Sequence, residues 1–539
     1  MTNAELADRL EAFAVLLELA ERNPYTIRAY RRAAATVRDA PAPVAELVAT
    51  GRVQSLRGIG PGIAGRLQEL VSTGQIAELA ELERVLSPEM VGIGRYLGLS
   101  AERSLSIAQT LGVRTLAELR AAAAEGRLRE VPGIGPKFEA RILSALDRPR
   151  DQRERAGLML DRARALVTAI ATALGGEIAG DPRRWRETCA ELAVVVAARE
   201  PGPVIARFAV LPEVVAVIDR DERSARGVTV DGVAVALTVA APEAFGTAWV
   251  RATGSAEYVS ALGPLPEAEN EAAVYAGLGL PWCPPELREA PGPPAPLPAL
   301  IELEQIRGDL HAHTTYSDGR FSVAEMGRAA RERGYDYLAI CDHTPAVGAV
   351  RGLTPEDLRR QAQEIAAANA DLAPFRVLRG IECDILSDGS LDLPDAVLDQ
   401  LDWVQVSVHG GQRMPRAEMT RRVTAALEHD AVSCLSHPTG RLLGRRPESA
   451  LDLDAVYALA AARGIALEVN GLPARLDLSA EHVRRALAGG VRIVCSTDAH
   501  SLRGLGNMEL AVATARRGGA TAADVVNTGP VPERASRSW

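Results

Sequence analysis

The chain is expected to fold as a multidomain α/β protein: a helical N-terminal third, a small α/β domain in the middle and a (β/α)7-type barrel at the C-terminus. Three observations carry this expectation. Apolar residues recur at helical spacing through residues 1–148, as in ELADRLEAFAVLLELAE, VAELVAT and GIAGRLQELVSTG, with glycine pairs breaking the pattern at 58–62, 92–98 and 133–135. Short β-type runs then appear between helical stretches: ELAVVVA (191–197), VVAVID (214–219) and VAVALTVA (233–240). From residue 306 onward, seven apolar runs alternate with helix-compatible sequence. Strand–helix alternation makes a parallel sheet, and about seven units can close it or nearly so.

Between the last two regions lies PWCPPELREAPGPPAPLPAL (281–300), whose prolines cannot sit inside a helix or a central strand. It reads as an interdomain linker. The expected units are two helical domains (1–88 and 89–150), a small α/β domain (151–285), a proline-rich linker (286–304) and the barrel (305–539). A length of 539 residues suits such a division, at roughly 100–200 residues per domain.

Composition narrows the class. With 47% hydrophobic and 24% charged residues the chain is an ordinary globular protein. No apolar run reaches the ~18–20 residues of a membrane span, so no membrane partner is expected. The opening MTNAELADRLEAF is an acidic amphipathic helix without the marks of a signal peptide. Six scattered cysteines with no C-x-x-C argue against a disulfide framework or a cysteine zinc finger and fit a reducing cytoplasm. The 61 basic residues include a single lysine, Lys137. The net charge of −9 is uneven: residues 1–150 hold 20 basic and 18 acidic residues, the remainder 41 and 52. The N-terminal third is therefore the part better suited to a polyanion.

Six of the seven C-terminal runs carry a histidine or an acidic residue at or just past their C-terminal end: His311, His313, Asp318, His343, Glu382, His409, His437, Asp498 and His500. The exception, IALEVN, ends in Asn470. The C-terminal ends of parallel barrel strands line one rim, so these side chains are expected to converge. Six of the eight histidines belong to this set. Crowded together without cations they would repel and desolvate one another. Imidazole and carboxylate suit zinc, manganese or iron, and nine ligands exceed the needs of one tetrahedral ion, so two or three divalent ions are expected. Such a multinuclear site suits phosphoester hydrolysis, because the ions supply hydroxide near neutral pH, clamp the phosphate oxygens and stabilise the leaving oxygen. Cys341, Cys383, Cys434 and Cys495 lie on the same strands and read as small core residues.

Two glycine hairpins, LRGIGPGIAGRL (56–67) and VPGIGPKFEARI (131–142), fit helix-hairpin-helix motifs. Gly58, Gly60, Gly62, Gly133 and Gly135 permit tight turns, and each following helix begins with free amides suited to a phosphate; Lys137 adds a charge. Such contacts bind the DNA backbone without reading its sequence. A third region, 98–113, resembles a degraded hairpin with Ser100 at the second glycine position.

The segments GDLHAHTTYSDG, CDHT, GIECDIL, SVHG, HPTGR, STDAH and GNMELAVATARRG resemble the PHP (polymerase and histidinol phosphatase) domain, over all of 305–539. The resemblance implies a distorted (β/α)7 barrel with a trinuclear metal centre, all nine ligand positions being occupied here. SVHGGQRM departs slightly from the family's loop. Within this set His343, Glu382, His409 and Asp498 are the candidate catalytic residues. The preceding domains resemble those of bacterial family X DNA polymerases, with NPYTIRAYRRAA (23–34) similar to the opening of the lyase-type domain. AGDPRRWRETCAELAVVVA (179–197) is similar to the family's nucleotidyltransferase-like palm, but Asp181 replaces a serine and the D-x-D pair has become Glu191-Leu192-Ala193. The third palm carboxylate would fall at Ala236. Nucleotidyl transfer by that fold needs three carboxylates around two magnesium ions, so no magnesium is expected at this degenerate palm. The stretch after TGS (253–255) also looks shortened. Where the family's lyase lysine would lie, Gly62 and Arg66 stand, and arginine forms no Schiff base.

The expected function is metal-dependent phosphodiester hydrolysis on gapped, nicked or 3′-ended DNA by a monomer, as a 3′→5′ exonuclease or 3′-end processing enzyme of repair. Arg413, Arg441 and Arg475 are candidate phosphate clamps, set against the simpler reading of solvated surface arginines. The alternatives are an active gap-filling polymerase, a phosphatase of small phosphomonoesters, and a non-enzymatic DNA-end-binding protein.

Overall fold

A computed structural model of the protein describes every residue except 20–22, 39, 41–42, 57, 81–87, 100, 148–156, 212, 230 and 533–539. The expectation for Ser100 therefore lies outside the described residues. Apolar faces at helical spacing bring helices Asn3–Leu19, Pro24–Arg38, Val44–Ala49 and Pro61–Thr73 around Leu6, Leu10, Phe13, Val37, Leu67 and Leu70. A second helical group, Pro88–Tyr96, Ala101–Leu111, Leu116–Ala124 and Pro136–Asp147, shares its core with the next domain: Ile93, Ile107 and Leu119 pack with Ala216, Ile218 and Val228.

The middle domain is a five-stranded sheet of β1 (Glu177–Gly180), β2 (Leu192–Ala197), β3 (Val214–Arg220), β4 (Ser224–Thr229) and β5 (Ala234–Ala240), in the order β1-β2-β5-β4-β3. Only β2 and β5 run parallel. The apolar runs foretold β2, β3 and β5 but not β4, whose SARGVT has no apolar run. It becomes a strand because β3 and β5 offer it a backbone ladder on both sides.

Nor is the proline-rich stretch slack. The Arg288 side chain is fully buried and forks onto Glu271, Glu286 meets Arg516 at 2.7 Å, and Leu300 bridges to Thr521.

The C-terminal sheet consists of β6 (Gly308–Ala312), β7 (Tyr337–Ile340), β8 (Arg376–Asp384), β9 (Trp403–Ser407), β10 (Cys434–Leu435), β11 (Ala466–Asn470) and β12 (Ile493–Ser496). All neighbours are parallel and in chain order, and the first and last strands meet through an Ala312–Ala499 bridge. The sheet is thus a nearly closed seven-stranded barrel. Its strands are buried on both faces, as their continuous apolar runs require. The intervening helices are delimited locally. Ser322 and Glu325 form a capping box before Val323–Glu332, whose Val323, Met326, Gly327 and Ala330 face inward. Thr354 and Asp357 do the same before Pro355–Leu372, with Pro355 in the first turn.

Candidate metal centre

The barrel rim gathers all nine expected side chains around Glu382, near the end of β8. Its carboxylate lies 2.8 Å from His437 Nε2, 3.0 Å from His343 Nδ1, 3.4 Å from His409 Nε2, 3.5 Å from His311 Nε2 and 3.6 Å from His313 Nε2. His313 Nε2 is 3.1 Å from Asp498 Oδ1, and His500 Nε2 is 3.1 Å from Asp318 Oδ2. His313 and His500 stack at 4.2 Å. Three overlapping groups have donor atoms within 4.8 Å of one another: His313, Asp318, His343 and His500; His311, His313 and Glu382; His343, Glu382 and His409. His437 and Asp498 complete the cluster at their flanks.

Divalent ions fit this arrangement. Among the described residues, the buried Nδ1 atom of His313 has no hydrogen-bond partner. In a protein interior such an orphaned acceptor calls for a proton or a cation. Burial, reinforced by the charges of His500 and His343, pushes the His313 imidazole down to about 4, so it is the neutral form that ligates metals. Burial opposes ionisation of Glu382 and Asp498, yet the surrounding imidazoles outweigh it and hold both carboxyls well below their usual range.

A further set of groups supports the cluster. Glu468 on β11 is fully buried and accepts from His311 Nδ1 at 2.6 Å, Ser436 Oγ at 2.8 Å, the His437 amide at 2.6 Å, Asn470 Nδ2 at 3.1 Å and Ser496 Oγ at 2.5 Å. Asp309 takes the Thr497 hydroxyl at 2.5 Å and the Thr497 and His311 amides at 3.2 Å; burial raises its carboxyl to about 6. Asp342 holds Thr314, Ser317 and Gln361, and Asp384 accepts the His409 amide. Sequence reading passed over all four: Glu468 and Asp309 lie inside strands, and Asp342 and Asp384, although at strand ends, stand beside His343 and Glu382, which were chosen in their place. The signal was available in Glu468: a lone carboxylate inside the apolar strand IALEVN is costly unless paired.

The three candidate arginines part company. Arg413 is exposed in the turn after β9. Arg441 is a structural tie, its guanidinium bound to Glu187 at 3.2 and 2.5 Å. Arg475 approaches the cluster, its Nε 3.7 Å from Asp498 Oδ2. The six cysteines are buried free thiols, burial raising Cys383 to about 12.

In the hairpins, Gly58 (φ +85°) and Gly133 (φ +82°) take the left-handed conformation. Gly60 caps Pro61–Thr73 with extended backbone, and Gly60, Gly62, Gly135 and Lys137 are exposed. Arg66 is engaged with Glu69 and Glu78.

The palm-like sheet aligns Ala179, Ala193, Ala236, Arg226 and Asp219 in one row across its five strands. Phe245, Ala248, Trp249 and Ala252 of helix Phe245–Thr253 pack against the alanine side of this row. Glu191 lies before β2 with its side chain 44% exposed, outside the row. The Asp181 carboxylate accepts the Ala190 and Glu191 amides at 2.8 Å and pairs with buried Arg184.

Residues 1–76 match the helix-hairpin-helix domain model, 97–148 the SAM-like helix-hairpin-helix tandem and 309–470 the PHP domain. The tandem match takes in the region read as a third hairpin. Two relatives resemble the C-terminal part: a probable phosphatase of Acetivibrio thermocellus (31% identical, covering 36% of this chain and 78% of the relative) and another of Photobacterium profundum (27% identical, 37% and 81%). The DNA polymerase/3′-5′ exonuclease PolX of Bacillus subtilis is 34% identical over 559 residues, covering 98% of this chain and 97% of the relative. With the hairpin domains, the palm-like sheet and the PHP barrel in the same order along its length, the chain belongs to the PolX family, the family X polymerases that carry a C-terminal PHP domain.

Proposed function

We propose that this chain is a metal-dependent phosphodiesterase acting on DNA, a 3′→5′ exonuclease or 3′-end processing enzyme of repair, whose palm has lost nucleotidyl transfer. The observation that carries this reading is the contrast between the two sheets. Nine imidazoles and carboxylates converge at the barrel rim, while the palm row offers alanines at positions 179, 193 and 236 under an apolar helix. Full-length likeness to a protein named as a polymerase and 3′-5′ exonuclease supports DNA as the substrate. The hairpin matches support contact with its backbone.

His311, His313, Asp318, His343, Glu382, His409, His437, Asp498 and His500 would hold two or three divalent ions, manganese, zinc or iron(II). Bound there, the ions would polarise the phosphate and activate water. The chain's own groups orient the ligands. Donation from His311 Nδ1 to Glu468 turns its Nε2 lone pair toward Glu382, and donation from His500 Nδ1 to the Asp498 carbonyl at 2.8 Å does the same toward Asp318. Glu382, reached from five imidazoles, is suited to bridging.

The probable phosphatases similar to the barrel favour one rival, hydrolysis of a small phosphomonoester. The deciding experiment incubates purified protein with end-labelled gapped and 3′-ended DNA, with and without dNTPs, in manganese, zinc or magnesium. Stepwise shortening from the 3′ end, with no dNTP-dependent extension, is expected. Extension products would restore the polymerase reading. Intact DNA alongside rapid phosphomonoester hydrolysis would establish the phosphatase.

A further inference from the structure

Arg475 stands in the loop between β11 and helix Ala480–Ala488. Its side chain is only 14% exposed, and its Nε and Nη1 are buried without a hydrogen-bond partner. Asp498 Oδ2, at 3.7 Å, is beyond hydrogen-bond reach of Nε and already accepts Asn470 Nδ2 at 3.0 Å. The charge of Arg475 also bears on His437 and Arg446. A guanidinium fork with unused donors beside a hydrolytic cluster and a second arginine is arranged for an anion with several oxygens.

The position of Arg475 is not set by the barrel alone. The Arg441 guanidinium donates to the carbonyls of Arg475 (3.1 Å) and Leu476, and its other edge is clasped by Glu187 of the palm at 3.2 and 2.5 Å. The Leu443 amide donates to the Ala474 carbonyl at 2.8 Å. Leu476, the next residue along, is fully buried in the palm's own apolar cluster with Leu160, Leu166, Leu192 and Val194. We propose that Arg475 takes a DNA phosphate beside the metal centre and that the palm, no longer equipped for polymerisation, serves as the mount that holds this arginine in place. The inference rests on the reading of the barrel as a DNA phosphoesterase.

The test uses full-length protein loaded with manganese, and inorganic phosphate as the probe. Three variants are compared with wild type: Arg475→Gln, Arg475→Lys and Glu187→Ala. Phosphate affinity by calorimetry, metal per chain, and kcat and KM on end-labelled DNA are measured. Arg475→Gln should weaken phosphate binding about tenfold or more and raise KM, with metal content unchanged. Arg475→Lys should recover part of the loss. Glu187→Ala, which touches neither metal nor substrate, should shift phosphate affinity the same way by about threefold.

Unchanged phosphate affinity in Arg475→Gln would reduce the arginine to a counter-charge for Asp498 and overturn the proposal. If that variant loses metal, Arg475→Lys decides, with weakened phosphate binding at full metal content in favour and wild-type binding against. Wild-type behaviour of Glu187→Ala would overturn the role of the palm. Should the wild type leave DNA intact, the parent reading fails, but the calorimetric comparison still decides the place of Arg475.

Discussion

Five imidazoles lie within 3.6 Å of the Glu382 carboxylate. Removing that group takes away the one carboxylate that all five share, so Glu382→Ala should lose at least one ion per chain by elemental analysis. DNA hydrolysis should fall by orders of magnitude, while DNA binding through the hairpins persists. Full activity in this variant would place the chemistry elsewhere. Glu468 makes a separate case because its carboxylate accepts six hydrogen bonds and orients His311 from behind. Glu468→Gln keeps the shape but removes the charge and half the acceptor capacity. Metal affinity should drop roughly 10–100-fold with secondary structure retained. A wild-type metal titration would show that Glu468 merely fills space.

Among the elements, the first hairpin separates two kinds of glycine. Gly58 needs its left-handed backbone, so a side chain there strains the turn. Gly60 has an ordinary φ of −80° and open space where a Cβ would stand. Gly60→Val should therefore fold normally yet obstruct approach of a phosphate, weakening DNA binding while leaving metal content and melting temperature unchanged. A binding isotherm identical to wild type would remove this hairpin from the DNA interface.

The palm sheet permits a second element-scale prediction. Ala193 is buried and its cluster packs against Phe245 and Trp249. Ala193→Asp, a nominal restoration of a family carboxylate, would bury an unpaired charge. It should lower stability by about 1–3 kcal/mol and give no primer extension. Polymerase activity in this variant would mean that the helix above the row moves aside.

Across the whole molecule, polar networks knit the palm region together and tie it to the barrel. Glu271 receives both Arg183 and Arg288, Glu286 receives Arg516, and Arg517 donates to the Arg184 carbonyl. Burial disfavours the charge on Glu271, but the two guanidinium groups outweigh it and bring its carboxyl down to about 2. Because the folded value is depressed, the associated stability is fully present above the unfolded value near 4.5 and is lost as pH falls toward 2. A shift of that size corresponds to on the order of 3 kcal/mol. Glu271→Gln should lower the unfolding midpoint at pH 7, and the gap to wild type should close between pH 4.5 and 2. A gap independent of pH would show that packing, not charge, matters there.

By itself the sequence determined which side chains gather at the barrel rim. Histidines and carboxylates at successive strand ends identified the nine-residue rim, because parallel alternation puts those ends on one side whatever the details of packing. Alanines 193 and 236 announced the altered palm for the same reason, since their meaning depends on residue type at a strand position. Tertiary structure alone decided the rest. Glu468 becomes a partner of His311 only when residues 157 apart in the chain are brought together. SARGVT becomes a strand only between two neighbours, and Arg441 turns from candidate clamp to tie only when Glu187, 254 residues away, closes on it. Local patterns record periodicity and residue chemistry, but a hydrogen bond between distant segments depends on register and approach, which exist only once the whole chain has folded.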